Sequence, residues 1–277
     1  SNRQLAQEVP KFEIKRKQFN EAEKGFWLKF GIDEQTLKRF NVSSLEEFST
    51  TSKIGNPYTT KSSFDKFIFA YENDNWVKLY KPLDEKKYKF QYLGTKEQGF
   101  IFGWKQLPEN GELLIITGGE KDVMTLAAKG FNAITLNSET ATLPKNIVDE
   151  LKLRFKTILV LYDNDETGLK QSNILAVAHG LHRLVLPPLQ NNGKDISDYF
   201  ANGETIEKFN NLLLTAIQSP APVELDVEKS VYNAVELLAR GEVEQQYLME
   251  PIFPQKGSAV LAGKPDTGKS QFARQLC

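Results

Sequence analysis

Cysteine is almost absent from this sequence: its 277 residues include one, Cys277, together with two histidines. A single cysteine excludes an internal disulfide framework and a cysteine-based structural zinc site. No apolar run approaches the ~18 residues of a membrane-spanning helix, and no signal-peptide pattern opens the chain. An excess of one charge is also missing, since the formal net charge is -1, so any basic surface must be local. We expect a cytoplasmic protein without a membrane partner.

The composition is typical of a globular protein, with 40% hydrophobic and 26% charged residues. We predict a mixed α+β domain at residues 1–109 and an α/β domain with a parallel sheet at residues 110–205. A helix and a linker at residues 206–226 would lead to a further domain that begins at residues 227–277. We expect the chain to be part of a longer protein.

Hydrophobic spacing changes along the first domain. Residues 11–48 have apolar side chains at helix-like intervals and predict helices. Residues 64–83 alternate around NDN, which is typical of a β-hairpin, and residues 86–94 and 99–108 predict further antiparallel strands.

Strands and helices alternate in the second domain. The runs ELLIIT, FNAITL, KTILVLYD and HRLVLP predict four strands, and a helical segment separates each strand from the next. This alternation predicts a parallel sheet that is covered by helices on both faces.

Acidic residues follow the predicted strands, where the loops of a parallel sheet open on one edge. With few opposing bases, these carboxylates would repel one another unless a cation lies among them, and oxygen ligands suit Mg²⁺ or Mn²⁺. The alternative is that the pair in DNDETG forms a turn or a helix cap. Asp122, deeper in its helix, is interpreted as a charge favoured by the helix dipole. The acidic residues at this edge are Glu120, Glu139, Asp163, Asp165, Asp195 and Asp198.

Three stretches, LLIITGGEKDVMTLAAKGFNAITL, ILVLYDNDETGLKQ and GKDISDYF, resemble the TOPRIM domain of bacterial and phage primases, primase-helicases and topoisomerases. The resemblance covers about residues 110–205 and implies a TOPRIM fold preceded by a primase-like α+β domain. It implies that Asp163 and Asp165 bind Mg²⁺ or Mn²⁺ for nucleotidyl transfer. Lys194, Asp195 and Asp198 match the KDxxDY stretch of phage-type primase-helicases, and a phage or mobile-element origin is expected.

The sequence departs from the TOPRIM pattern at the first strand. The glutamate that the family places there, as general base or metal ligand, is replaced by Gly118. Glu120, two residues later, or Glu139, after the neighbouring strand, would have to supply that carboxylate.

Lysines and aromatic residues are interleaved from Trp76 to Tyr92. On alternating strands the rings would face the core and the lysines would face water. The alternative is that they bind single-stranded DNA, with ammonium groups on phosphates and rings on bases.

A phosphate-binding motif lies near the end of the sequence. GKPDTGKS, at residues 263–270, matches G-x-x-x-x-G-K-[ST] and follows an apolar run, as in the P-loop of a RecA-like ATPase domain. Backbone amides from Gly263 to Gly268 would surround phosphates, Lys269 would reach the terminal ones, and Ser270 would hold Mg²⁺. The rest of this helicase domain would lie beyond Cys277, so we expect little ATP hydrolysis.

These observations lead to one main hypothesis and two alternatives. The main one is a DNA primase that joins ribonucleotides on single-stranded DNA, with Asp163, Asp165 and either Glu120 or Glu139 as its catalytic residues. Lys121 and Lys194 would bind nucleotide triphosphates. The alternatives are a TOPRIM module that binds single-stranded DNA for an attached helicase without polymerising, and a TOPRIM nuclease.

Overall fold

The computed structural model describes residues 12–52, 54–136, 142–219 and 221, and the backbone of Tyr247–Met249 and Phe253–Pro254. The chain forms two compact units, Ser1–Glu224 and Leu225–Cys277. The domain boundaries that we predicted within these units stay predictions. Among the described residues no helix is long and apolar enough to cross a membrane.

The first unit begins with an antiparallel sheet and two short helices. Its strands are β1 (Glu13–Lys17), β2 (Val42–Thr51), β3 (Pro57–Lys61), β4 (Phe69–Glu72), β5 (Trp76–Tyr80) and β6 (Phe90–Gly94). They pair in the order β1-β2-β4-β5-β6, with β3 also on β2, so β6 is an edge strand. The helices α1 (Glu21–Leu28) and α2 (Glu34–Arg39) separate β1 from β2.

This part of the chain corrects two predictions. The stretch that we interpreted as entirely helical contains β1 and the start of β2, which pair with each other far apart in sequence. Pairing with a distant strand outweighs local helical spacing because β-structure depends on its neighbours. Residues 99–108, which we predicted as a strand, do not form one. Phe102 makes a single β-bridge to Thr135, and Trp104–Gln106 is a 3₁₀ helix. The hairpin around NDN is confirmed as β4 and β5.

The second half of the unit is the predicted parallel sheet, in the order β10-β9-β7-β8. Its strands are β7 (Gly111–Thr117), β8 (Asn132–Thr135), β9 (Phe155–Leu161) and β10 (His182–Arg183). The helices are α3 (Glu120–Ala128), α4 (Lys145–Arg154), α5 (Glu166–His179), α6 (Ile196–Ala201) and α7 (Ile206–Gln218). This confirms the predicted fold class, a mixed α+β part followed by a parallel-sheet α/β part.

Successive residues of the parallel strands enter two different cores. Leu114 and Ile116 of β7 pack with α4 and α5 in one core. Ile115 and Leu159 pack in a second core, which also contains Phe69 and other side chains of the antiparallel sheet. Both faces of the parallel sheet are therefore buried, as its uninterrupted apolar runs predict. The shared core fixes the antiparallel sheet against the parallel one.

Within the second unit, the structure describes a two-stranded antiparallel pair, β11 (Tyr247–Met249) and β12 (Phe253–Pro254). The P-loop prediction, including Gly263, Gly268, Lys269 and Ser270, lies outside the described residues.

Candidate active site

The loops that follow β7 and β9, together with the start of α6, bring the predicted carboxylates to one edge of the parallel sheet. We call Glu120, Asp163, Asp165, Asp195 and Asp198 the acidic edge. Glu120 begins α3, directly after the turn from β7. Asp163 and Asp165 follow β9, and Asp195 and Asp198 belong to the start of α6. Glu139 lies outside the described residues, so its predicted role as a replacement glutamate stays a prediction.

Asp163 and Asp165 converge on a single ammonium group. Lys194 Nζ lies 2.5 Å from Asp163 Oδ2 and 2.8 Å from Asp165 Oδ2. Partial burial acts to lower the pKa of Lys194, but hydrogen bonds to both carboxylates outweigh it and raise that pKa above its usual value. The hydrogen bond from Lys194, with that from the Gly168 backbone, lowers the pKa of Asp165. Asp165 is therefore held ionised beside the Lys194 ammonium group.

Asp165 also begins helix α5. Its Oδ1 atom accepts a hydrogen bond from the Gly168 backbone N–H at 2.9 Å, which is the helix-cap role that the sequence left open for DNDETG. The other carboxylate oxygen, Oδ2, faces Lys194. Capping and cation binding use different oxygens of one side chain, so the two interpretations are compatible.

The backbone at this turn depends on a glycine. A Cβ atom added to Gly168 would lie 2.2 Å from the carbonyl oxygen of Asp163 and 2.8 Å from its carbonyl carbon. The first turn of α5 therefore packs directly against the backbone of Asp163. This close approach fixes the position of Asp163 relative to the cap at Asp165.

Two further lysines pair with the rest of the acidic edge. Lys121 Nζ lies 3.1 Å from Asp195 Oδ2 and 3.9 Å from Asp198 Oδ1. Lys78, on β5 of the antiparallel sheet, donates to Glu120 Oε1 at 2.5 Å, and both side chains are largely buried. The expectation that this edge has few opposing bases is therefore wrong, because Lys78, Lys121 and Lys194 reach it from three separate elements.

Asp122 has a different role from the one that we predicted. It is buried, and its Oδ1 accepts hydrogen bonds from the Ser197 hydroxyl at 2.5 Å and from the Ser197 backbone N–H at 3.3 Å. Burial, reinforced by the nearby Asp195, raises the pKa of Asp122 well above its usual range. Asp122 thus joins α3 to α6, a contact that sequence spacing does not reveal because the two residues are 75 positions apart.

The fit of a divalent cation depends on how many ligands the chain supplies. No group of three or more His, Cys, Asp or Glu side chains is arranged to hold a metal among residues 12–52, 54–136 and 142–219. Asp163 and Asp165 nevertheless direct two carboxylate oxygens at one cationic atom. Mg²⁺ commonly binds through one or two carboxylates and completes its shell with water and substrate phosphates. These two residues therefore fit a metal that arrives with a triphosphate.

A row of rings lies beside the acidic edge. Trp76 and Tyr80 on β5 are buried, as alternation predicts, but Lys78 is buried as well. Phe90 and Tyr92 on β6 are 48% and 40% exposed, contrary to the expectation that these rings face the core. They escape burial because β6 is the edge of the sheet.

Comparisons with solved structures connect this architecture to one class of protein. The chain is similar to a DnaG primase catalytic domain bound to ssDNA, with TM-score 0.52 and 15% identity over 71% of this chain and 74% of that one. It is similar to the E. coli primase catalytic core, with TM-score 0.50 and 16% identity over 70% and 73% of the two chains. The chain has the fold of a DNA primase catalytic core.

A third similarity concerns a bacteriophage protein. The primase fragment of the bacteriophage T7 primase-helicase protein matches with TM-score 0.46 and 19% identity, over 73% of this chain and 80% of that one. No protein-family model and no curated protein matches the chain.

Proposed function

We propose that this chain is a DNA primase module that joins ribonucleotides on single-stranded DNA at the acidic edge. The observation that carries the proposal is the convergence of Asp163 and Asp165 on one cationic atom at the carboxyl edge of the parallel sheet. The fold supports it, since one of its structural relatives is a primase catalytic domain bound to ssDNA.

Asp163 and Asp165 would hold the Mg²⁺ or Mn²⁺ ion that a nucleotide triphosphate brings with it. The bound metal would neutralise charge on the phosphates as one nucleotide is joined to the next. Lys194, whose side chain is 47% exposed, would leave the two carboxylates and bind the incoming phosphates. Lys121 is engaged by Asp195 and Asp198, which makes Lys194 the better candidate for phosphate binding.

Glu120 would be the third carboxylate only after a rearrangement. Its Oε1 atom is occupied by Lys78, and the position that the TOPRIM pattern gives to glutamate is Gly118. If Glu120 is released from Lys78, it would supply a carboxylate from a position two residues after Gly118.

Metal titration tests the proposal directly. We expect the parent to bind Mn²⁺ more tightly with a ribonucleotide triphosphate than without, and the Asp163→Asn/Asp165→Asn double variant to lose that binding while remaining folded. A matched control, Asp74→Asn/Asp149→Asn, removes two exposed carboxylates that also pair with lysines and should titrate like the parent. Equal titration curves for the parent and the Asp163/Asp165 variant would refute the metal site.

Product analysis then distinguishes the functions. With single-stranded DNA, ribonucleotides and Mg²⁺ or Mn²⁺, we expect short RNA products from the parent and none from the Asp163/Asp165 variant. Shortened DNA instead of new RNA would identify a nuclease that uses the same carboxylates. If neither new RNA nor shortened DNA is formed, catalysis at this edge is rejected.

A second candidate is a module that binds single-stranded DNA for a helicase without polymerising. The observation that favours it is the pairing of the acidic edge with Lys78, Lys121 and Lys194, which leaves less repulsion for a metal to relieve. It predicts tight strand binding that is independent of divalent metal, together with no RNA product. This candidate function requires an attached helicase domain. The primase proposed first would have one as well if it is part of a primase-helicase.

A further inference from the structure

The geometry points to Phe90 and Tyr92 as a base-stacking surface for unpaired nucleic acid that leads into the acidic edge. This inference rests on the proposed function, because it names how the single strand is held beside the catalytic carboxylates. It assigns the recognition of bases to two rings of an edge strand, and the recognition of phosphates to the lysines around them.

Strand geometry places the two rings side by side. Phe90 and Tyr92 are two residues apart on β6, so they lie on the same face at a spacing of about 7 Å. Both are among the exposed large hydrophobic residues of the described chain. Aromatic rings on an exposed strand face offer the flat surfaces on which successive bases of a single strand stack.

Each exposed ring is supported by a buried ring of the neighbouring strand. Phe90 stacks on Tyr80 with centroids 5.1 Å apart and an interplanar angle of 15°. Tyr92 packs against Trp76 at 5.9 Å. Because the supporting rings are fixed in the core, the exposed rings lose little freedom when a base binds, which favours affinity.

Positive charge surrounds the rings. The stretch from Lys78 to Lys96 contains six lysines and two acidic residues. Lys96 Nζ lies 4.6 Å from the Tyr92 ring centroid and donates to the Tyr92 hydroxyl at 3.3 Å. This local excess of ammonium groups complements the phosphates of a strand whose bases cover the rings.

The rings connect directly to the acidic edge. Lys78 Nζ lies 4.5 Å from the Phe90 ring centroid and 5.9 Å from that of Tyr92, and it also binds Glu120. Lys86, just before β6, contributes to lowering the pKa of Asp165 by its charge. A single strand of DNA whose bases stack on Phe90 and Tyr92 would therefore have its neighbouring nucleotides at the carboxylates of the acidic edge.

The test compares two strands that differ only in their bases. Fluorescence anisotropy, with EDTA present to exclude metal effects, measures binding of labelled oligo(dT) and of an abasic oligomer with the same length and number of phosphates. We expect the parent to prefer oligo(dT), and Phe90→Ala/Tyr92→Ala to bind oligo(dT) about ten-fold or more weakly while its affinity for the abasic strand is unchanged.

Further variants separate stacking from packing. Phe90→Leu/Tyr92→Leu keeps most of the apolar volume without a π face, so it should lose the preference for bases even if the alanine variant fails to fold. Tyr92→Phe, which keeps the ring, should retain the preference. Phe64→Ala removes a ring that is 84% exposed elsewhere in the described chain and should bind both strands like the parent.

The outcomes distinguish this inference from the proposed function. Equal affinity of the parent for the two strands, or an unchanged preference in the leucine variant, would overturn the stacking surface alone. A parent that binds neither strand would overturn both the surface and the proposed single-strand function. Loss of the base preference in the leucine variant, with Phe64→Ala unaffected, would establish the surface.

Discussion

Replacement of Gly168 by alanine tests the geometry of the acidic edge through a change of one methyl group. In a helix, alanine is favoured over glycine by roughly 0.5–1 kcal/mol. At Gly168 the added Cβ atom would lie 2.2 Å from the Asp163 carbonyl oxygen, and relief of this overlap requires a shift of about 1 Å. Forced shifts of this kind cost roughly 1–3 kcal/mol. We therefore expect Gly168→Ala to be less stable than the parent.

Gly25 provides the matched control. It lies in the middle of α1, is exposed, and has no atom within 4 Å of an added Cβ. Gly25→Ala should therefore show only the helix preference and should raise the free energy of unfolding by about 0.5–1 kcal/mol. Because both variants share the helix preference, they should differ from each other by the cost of the overlap at Gly168, about 1–3 kcal/mol.

Urea unfolding at pH 7, followed by circular dichroism, measures both variants against the parent. A second readout concerns the proposed function, since displacement of Asp163 by about 1 Å would reduce the proposed primer synthesis by on the order of 100-fold. Gly25→Ala should leave synthesis unchanged. If Gly168→Ala matches or exceeds the parent in stability, the close packing of α5 on Asp163 is wrong, and so is our account of how that carboxylate is positioned.

Two further predictions concern ion pairs. Partial burial acts to raise the pKa of Glu72, but its bidentate pair with Arg16 and a hydrogen bond from Ser43 together outweigh burial and hold that pKa below its ordinary value. A lowered carboxyl pKa contributes stability that is present above pH ~4.5 and lost as the pH falls through the folded-state value. Glu72→Gln should therefore reduce stability by about 1 kcal/mol at pH 7 and by much less at pH 3 in urea unfolding; an equal loss at both pH values would contradict the assignment. Lys194→Met removes the ammonium that competes for Asp163 and Asp165, so calorimetry should show tighter Mn²⁺ binding to the free protein and weaker binding of metal-free triphosphate. Weaker Mn²⁺ binding would instead mean that Lys194 organises the two carboxylates.

Local patterns were sufficient for much of the parallel-sheet half. Continuous apolar runs such as the one in β9 occur where a strand is buried on both faces, and helices with cap residues separate them, so order and type follow from the chain itself. The same reasoning places Asp163 and Asp165 at the carboxyl edge, since every loop after a parallel strand opens there. Local patterns did not predict β1, because its residues become a strand only by pairing with β2.

The partners of the acidic side chains were decided by tertiary structure. Lys78 and Glu120 are 42 residues apart, and Lys194 and Asp165 are 29 apart, so no local pattern reveals that these charges cancel. Burial of Asp122 on Ser197 and exposure of Phe90 and Tyr92 on an edge strand likewise depend on which elements meet. Periodicity along the chain determined which segments are strands and where their loops open, because those properties are local. Charge pairing and exposure depend on neighbours in space, and only the folded chain brings those neighbours together.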